Sequence, residues 1–155
     1  MTNLSAFILS LIVLAPNHEL VRHPELRAEV AGYFMLAGEK YNLEPSLLAY
    51  WAWRESWFQV DAVGTRGEIG YAQAHGKALK TCIAAGLDIK TREGGAHCIG
   101  LLLDMGMRMC GGLERGARWY ASGSCRGSVR TKKKIKDRLH SWRRKWNILV
   151  RRRND

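Results

Sequence analysis

No segment of this 155-residue chain alternates apolar and polar residues over a sustained stretch, so a half-wetted β-sheet is not expected and the fold class is read as mainly α. The apolar run Leu4–Leu14 has about eleven residues, whereas a helix crossing a bilayer needs about 20, so it is too short to span comfortably. No Lys or Arg precedes that run, and Pro16 follows Ala15, which makes a poor cleavage site. Two readings stay open for it: a secretory signal of irregular form, or a helix packing at the start of the domain. No Cys-x-x-Cys occurs and no histidine stands at zinc-finger spacing, so neither a metal nor any other cofactor is expected. There are no internal repeats and no low-complexity tract apart from the charged C-terminal segment.

Charge is abundant but uneven. The net charge of +11 resides almost wholly in residues 131–155, which hold eleven Lys/Arg against two Asp. The preceding 130 residues carry fourteen basic and twelve acidic side chains. Nearly half the residues are apolar, enough for a real core at this length. The four cysteines, Cys82, Cys98, Cys110 and Cys125, all lie in the second half. Their spacing favours two local bridges, Cys82–Cys98 and Cys110–Cys125, over free thiols, although four cysteines allow three connectivities. Each bridge would close a loop of about 15 residues, worth on the order of 3 kcal/mol in the chain-entropy model, and would imply an oxidising compartment.

Helical spacing places Leu26, Val30, Phe34 and Ala37 on one stripe of a helix over 25–41. Asn42-Leu-Glu-Pro45 breaks that helix and opens the next, with Pro45 in the favoured first turn. Further helices are expected over 70–85, 96–110 and 113–121, with loops at 16–24, 59–70, 86–95 and 123–128. In the helix from Pro45 to Trp57, steps of three and four carry Leu48, Trp51, Ala52 and Glu55 down one face. A face of that composition is buried, so a carboxylate stands where a charge is costly. Desolvation and the negative end of the helix dipole both favour the neutral acid and would raise its pKa. A carboxylic acid held protonated near neutral pH is what a general acid for glycosidic cleavage requires. The plainer alternative is a Glu paired with Arg54 or another cation at the rim of the core.

Three segments in order then carry a resemblance. They are Glu55-Ser56 at the end of the apolar helix, Gly67-Glu-Ile-Gly-Tyr-Ala-Gln73, and Trp119-Tyr-Ala-Ser-Gly123. Together, and with Leu43-Glu-Pro-Ser-Leu-Leu48 as lead-in, they resemble the soluble lytic transglycosylase family, relatives of goose-type lysozyme that cleave peptidoglycan glycan strands. The resemblance spans roughly residues 30–127. It implies a single lysozyme-like domain over 30–130, preceded by the apolar N-terminal segment 1–29 and followed by a basic amphipathic tail over 131–155. It also implies Glu55 as general acid and then general base, Ser56 near the scissile linkage, and Gln73 bonding the sugar. Tyr120 would orient Glu55, with Tyr71 and Glu68 beside the substrate.

Departures from the family pattern stand at Tyr71-Ala72, where relatives carry Leu-Met, and at Ala121, where many carry Asn. The expected reaction is cleavage of the MurNAc–GlcNAc β-1,4 bond with formation of a 1,6-anhydro sugar, in a periplasmic, extracellular or virion-associated setting. A hydrolytic muramidase would need a second carboxylate, for which Glu68 and Asp61 are the candidates; a structural acid bonding the loop amides is the plainer reading of Glu68. A third reading is a non-catalytic glycan-binding protein of the same shape. Trp57, Tyr71, Trp119 and Tyr120 offer flat faces to sugar rings, while Met105, Met107 and Met109 read as core filler.

The tail from Thr131 to Arg153 reads as a helix with Ile135, Leu139, Trp142, Trp146 and Leu149 on one stripe. Its plainest role is a terminal helix packed by its apolar face. Attraction to an anionic envelope polymer or membrane surface ranks next, and nucleic acid last. Peptidoglycan strands are the expected partner of the domain itself, acting as a monomer.

Overall fold

The computed structural model describes residues 2–154, with side chains placed through residue 151. The protein is mainly α: 70% of it is helical and no strand forms among the described residues. In chain order the helices are α1 (Asn3–Ile12), α2 (Glu19–Arg22), α3 (Pro24–Tyr41), α4 (Pro45–Ser56), α5 (Gly76–Ala84), α6 (Arg92–Cys110), α7 (Leu113–Ser122) and α8 (Val129–Asn154). The chain groups into two units, Met1–Gly100 and Leu101–Asp155, with the division falling inside α6. This grouping differs from the three segments expected: the apolar N-terminal segment belongs with α3 and α4, and the basic helix belongs with α7.

In the first unit, α1 packs on α3 and α4. Thr2 caps α1 by accepting the Ser5 amide, and Leu4, Phe7, Ile8, Leu11 and Ile12 are buried. The apolar run is thus a core helix here, while Val13 and Leu14 at its end are exposed. Asn42 ends α3 in the left-handed conformation, and the Leu43 amide closes back on the Gly38 carbonyl at 2.9 Å. A Cβ at Gly38 would stand 2.7 Å from both the Leu43 carbonyl and Pro45, so the tight α3–α4 corner needs glycine there. Pro45 then starts α4, and the next seven residues through Ala52 are all buried.

Segment 16–24 is not simply loop. His18 caps the short helix α2 through Nδ1, and Arg92 grips Glu19 with Nη2 at 2.9 and 3.0 Å from the two carboxylate oxygens. The expected helix over 70–85 begins only at Gly76, because Gly70, Gln73 and Gly76 all adopt positive φ. Conversely α6 starts at Arg92, four residues before the expected position.

In the second unit α7 and α8 pack together. Ile135, Leu139 and Trp142 form the buried stripe of α8, as the spacing predicts. Of the three methionines read as core filler, Met105 and Met107 are half-buried and Met109 is 62% exposed. Two disulfides form, Cys82–Cys98 in the first unit and Cys110–Cys125 in the second, with Cα separations of 5.5 and 5.4 Å. Bridges of this kind belong to an oxidising environment, outside the cell or in the periplasm. Among the described residues, no helix is long and apolar enough to cross a membrane.

Candidate active site at the end of helix α4

Glu55 lies in the last turn of α4, half-buried, one step along the face occupied by fully buried Leu48, Trp51 and Ala52. The turn that follows is unusual. Trp57 (φ 54°) and Phe58 (φ 58°) are consecutive non-glycine residues in the left-handed region. That conformation is costly for bulky side chains and persists only when packing over-determines it. Two contacts do so here. Phe58 is fully buried, edge-on to Phe34 with centroids 6.2 Å apart and to Tyr71 at 6.1 Å. The Trp57 carbonyl accepts a hydrogen bond from His18 Nε2 at 2.7 Å. Because His18 Nδ1 accepts the Leu20 amide, the imidazole is held as the Nε2–H tautomer. The exit of α4, and Glu55 with it, is therefore fixed from two sides.

Trp57 is 56% exposed and meets Trp53 edge-on at 5.4 Å, while the Arg54 guanidinium lies 5.7 Å from the Trp53 ring. The two rings and the guanidinium form an aromatic ridge with a cation over it at the end of α4.

The loop over 59–75 folds on itself through two isolated bridges, Val63 with Ile69 and Ile69 with Ala74. The expected site residues in it mostly turn inward. Glu68 is 9% exposed and its carboxylate is engaged: Oε2 accepts the Arg66 amide at 2.9 Å and Oε1 accepts Arg66 Nε at 2.8 Å. Bonds from its own amide and that of Arg66, reinforced by the Arg66 side chain, pull its pKa down to about 2. Both oxygens of the Glu68 carboxylate are thus engaged within the loop. Asp61, the other candidate, is exposed.

Three further expected site residues also make contacts within the protein. Tyr71 is fully buried and stacks on Phe34 at 6.1 Å with planes 10° apart; it is a core residue and no groove floor. Burial pushes its phenol well up, opposed in part by Arg92. Ser56 is 4% exposed and donates its hydroxyl to the Ala52 carbonyl at 2.9 Å, closing the helix instead of reaching a ligand. Gln73 donates Nε2 to the carbonyls of Ala62 and Gly70, at 3.1 and 3.0 Å, so its amide nitrogen braces the loop. Tyr120 belongs to the second unit, half-buried on α7 three residues before the helix closes at left-handed Gly123.

His18 and Arg66 are the residues that reading by motif missed. Arg66 stands two positions before Glu68, a spacing that permits the ion pair; nothing local to His18 marks it, because its partner lies 39 residues away. A concavity of about 570 Å³ opens elsewhere, at the α3–α4 corner between Met35, Leu36, Leu43 and Pro45. Among the described residues no group of three or more His, Cys, Asp or Glu is placed to hold a metal ion. No protein-family model, curated protein or solved structure matches this chain.

Proposed function

We propose that this chain is a peptidoglycan lytic transglycosylase in which Glu55 is the single acid and base. The observation that carries the reading is a half-buried carboxylate in the last turn of an otherwise buried apolar helix. The ordered motifs Glu55-Ser56, Gly67–Gln73 and Trp119–Gly123 add the reaction class by resemblance. Protonated Glu55 gives its proton to the glycosidic oxygen as the bond from the MurNAc anomeric carbon breaks. The C6 hydroxyl of the same sugar attacks that carbon, and the carboxylate takes the hydroxyl proton. The 1,6-anhydro product forms without water and returns Glu55 to its starting state.

One carboxylate suffices for this sequence of steps. The engagement of Glu68 by Arg66 leaves exposed Asp61 as the candidate for the second carboxylate that a hydrolytic muramidase needs. Trp57 supplies an exposed ring for the apolar face of a sugar. A virion-associated or phage lysis enzyme is the setting we favour for so small a chain, with a bacterial wall-remodelling or secretion-associated enzyme as the other; the two disulfides place either in an oxidising environment.

The inward commitment of Ser56, Tyr71 and the Gln73 amide nitrogen supports a second reading, a glycan-binding protein without catalysis. Digestion of purified sacculi by wild type and Glu55→Gln, with mass spectrometry of the products, tests both. Transglycosylation predicts anhydro ends from the wild type and a loss of about 10²–10⁴ in rate in Glu55→Gln. Reducing ends carrying solvent oxygen would mean hydrolysis. Binding to sacculi with no soluble product from either protein would mean a binding module.

A further inference from the structure

We propose that the outer face and C-terminal end of α8 dock the protein on an anionic lipid surface. Lys132, Lys133, Lys136, Arg143, Arg144 and Arg151 are all exposed. At about 100° per residue they fall within roughly a third of the helix circumference. Asp137 is the one acid of the described part of α8, and it is paired with Lys133 at 2.9 Å at the edge of that arc. The preceding 130 residues are close to neutral, so this face concentrates the charge of the chain.

Charge alone fits any polyanion. The end of the helix narrows the choice. Mid-helix, the apolar stripe is already buried, with Ile135 0%, Leu139 3% and Trp142 9% exposed. From Trp146 onward that burial fails: Ile148 is 47% exposed, and Trp146, Leu149 and Val150 are only half-buried, flanked by Arg143, Arg144 and Arg151. Arginines around a half-buried tryptophan and an exposed isoleucine suit the headgroup boundary of a bilayer, where apolar groups leave water while the cations meet lipid phosphates. A nucleic acid would take the cations and leave the aliphatic end wet. This inference is independent of the glycan-cleaving reading.

The test uses the full chain and sedimentation with vesicles of phosphatidylethanolamine and phosphatidylglycerol, against vesicles of phosphatidylcholine. At least tenfold tighter binding to the anionic vesicles is expected. Arg143→Glu/Arg144→Glu should reduce that binding at least tenfold, and Lys132→Gln/Lys136→Gln several-fold. Ile148→Asn, which leaves the charge intact, should weaken it about threefold. All these positions are exposed, and circular dichroism should show unchanged helix content. Equal binding to both vesicle types would overturn the proposal. So would an Ile148→Asn variant that binds like wild type, or displacement from vesicles by duplex DNA at an equal concentration of phosphate.

Discussion

Glu68 shows how one side chain can change roles without changing chemistry. Placed in a glycine-rich segment beside a glycan-cleaving motif, it reads as a group for the substrate, yet three bonds from Arg66 and its own amide hold it to the loop. Its folded pKa, about 2, lies below the ordinary carboxylate value of 4.5. The stabilisation is therefore complete above the unfolded value and is lost as pH falls from about 4.5 toward 2. Burial and nearby Lys40 lower the His97 pKa, so protonation of that ring also opposes folding as pH drops below the usual imidazole range. A pH series of thermal melts should show two acid-side losses, and Glu68→Gln should flatten only the lower one. A variant with an unchanged lower limb would mean that Arg66 does not hold the carboxylate in solution. The same inward logic governs Ser56, Tyr71 and Gln73, whose partners Ala52, Phe34 and Ala62 decide where each points. For Tyr71 and Gln73 those partners are 11 or more residues away in sequence, which is why motif spacing located the residues but not their orientation.

At the level of helices, glycine separates what periodicity could read from what it could not. α3, α4, α7 and α8 were legible from apolar stripes, from Pro45 and from Gly123, all local signals. The start of α6 was not, because Gly94-Gly95 reads as a turn. In the fold those glycines lie inside the helix, where a Cβ on Gly95 would come 2.8 Å from the Tyr71 Cβ and one on Gly94 would strike the Asp88 carbonyl. α2 escaped because four residues form a helix only when His18 and the Arg92–Glu19 pair hold it. Gly106 and Gly116 bring α6 and α7 into backbone contact within the second unit: a Cβ at Gly116 would lie 2.5 Å from the Met107 nitrogen and 2.7 Å from the Gly106 carbonyl carbon. No side chain can swing aside there, so Gly116→Ala should cost about 1–3 kcal/mol in urea unfolding. Gly32, inside α3 with nothing within 4 Å of its added Cβ, is the contrast: Gly32→Ala should stabilise by about 0.5–1 kcal/mol. Equal effects at the two positions would remove close helix approach as the explanation.

For the molecule as a whole, each disulfide lies within one unit and neither joins the two. Cys82–Cys98 ties α5 to the middle of α6, and Cys110–Cys125 ties the end of α6 to the loop after α7. Replacing Cys82 and Cys98 together by serine should cost about 3 kcal/mol, measured by denaturant unfolding with the second bridge intact. If the loss vanishes while wild type remains sensitive to reductant, the stabilisation lies with Cys110–Cys125. Both pairings are the local ones that the spacing favours among the three connectivities four cysteines allow.

His18 carries a last consequence. Its ring accepts a hydrogen bond from the Leu20 amide on one nitrogen and donates one to the Trp57 carbonyl from the other, so it clasps the entry of α2 to the exit of α4. A processed form of the chain beginning after His18 would retain every motif residue from Glu55 to Gly123. It would nevertheless release the backbone on which Glu55 is mounted, so the opening residues belong to the scaffold of the carboxylate as much as the helix that bears it.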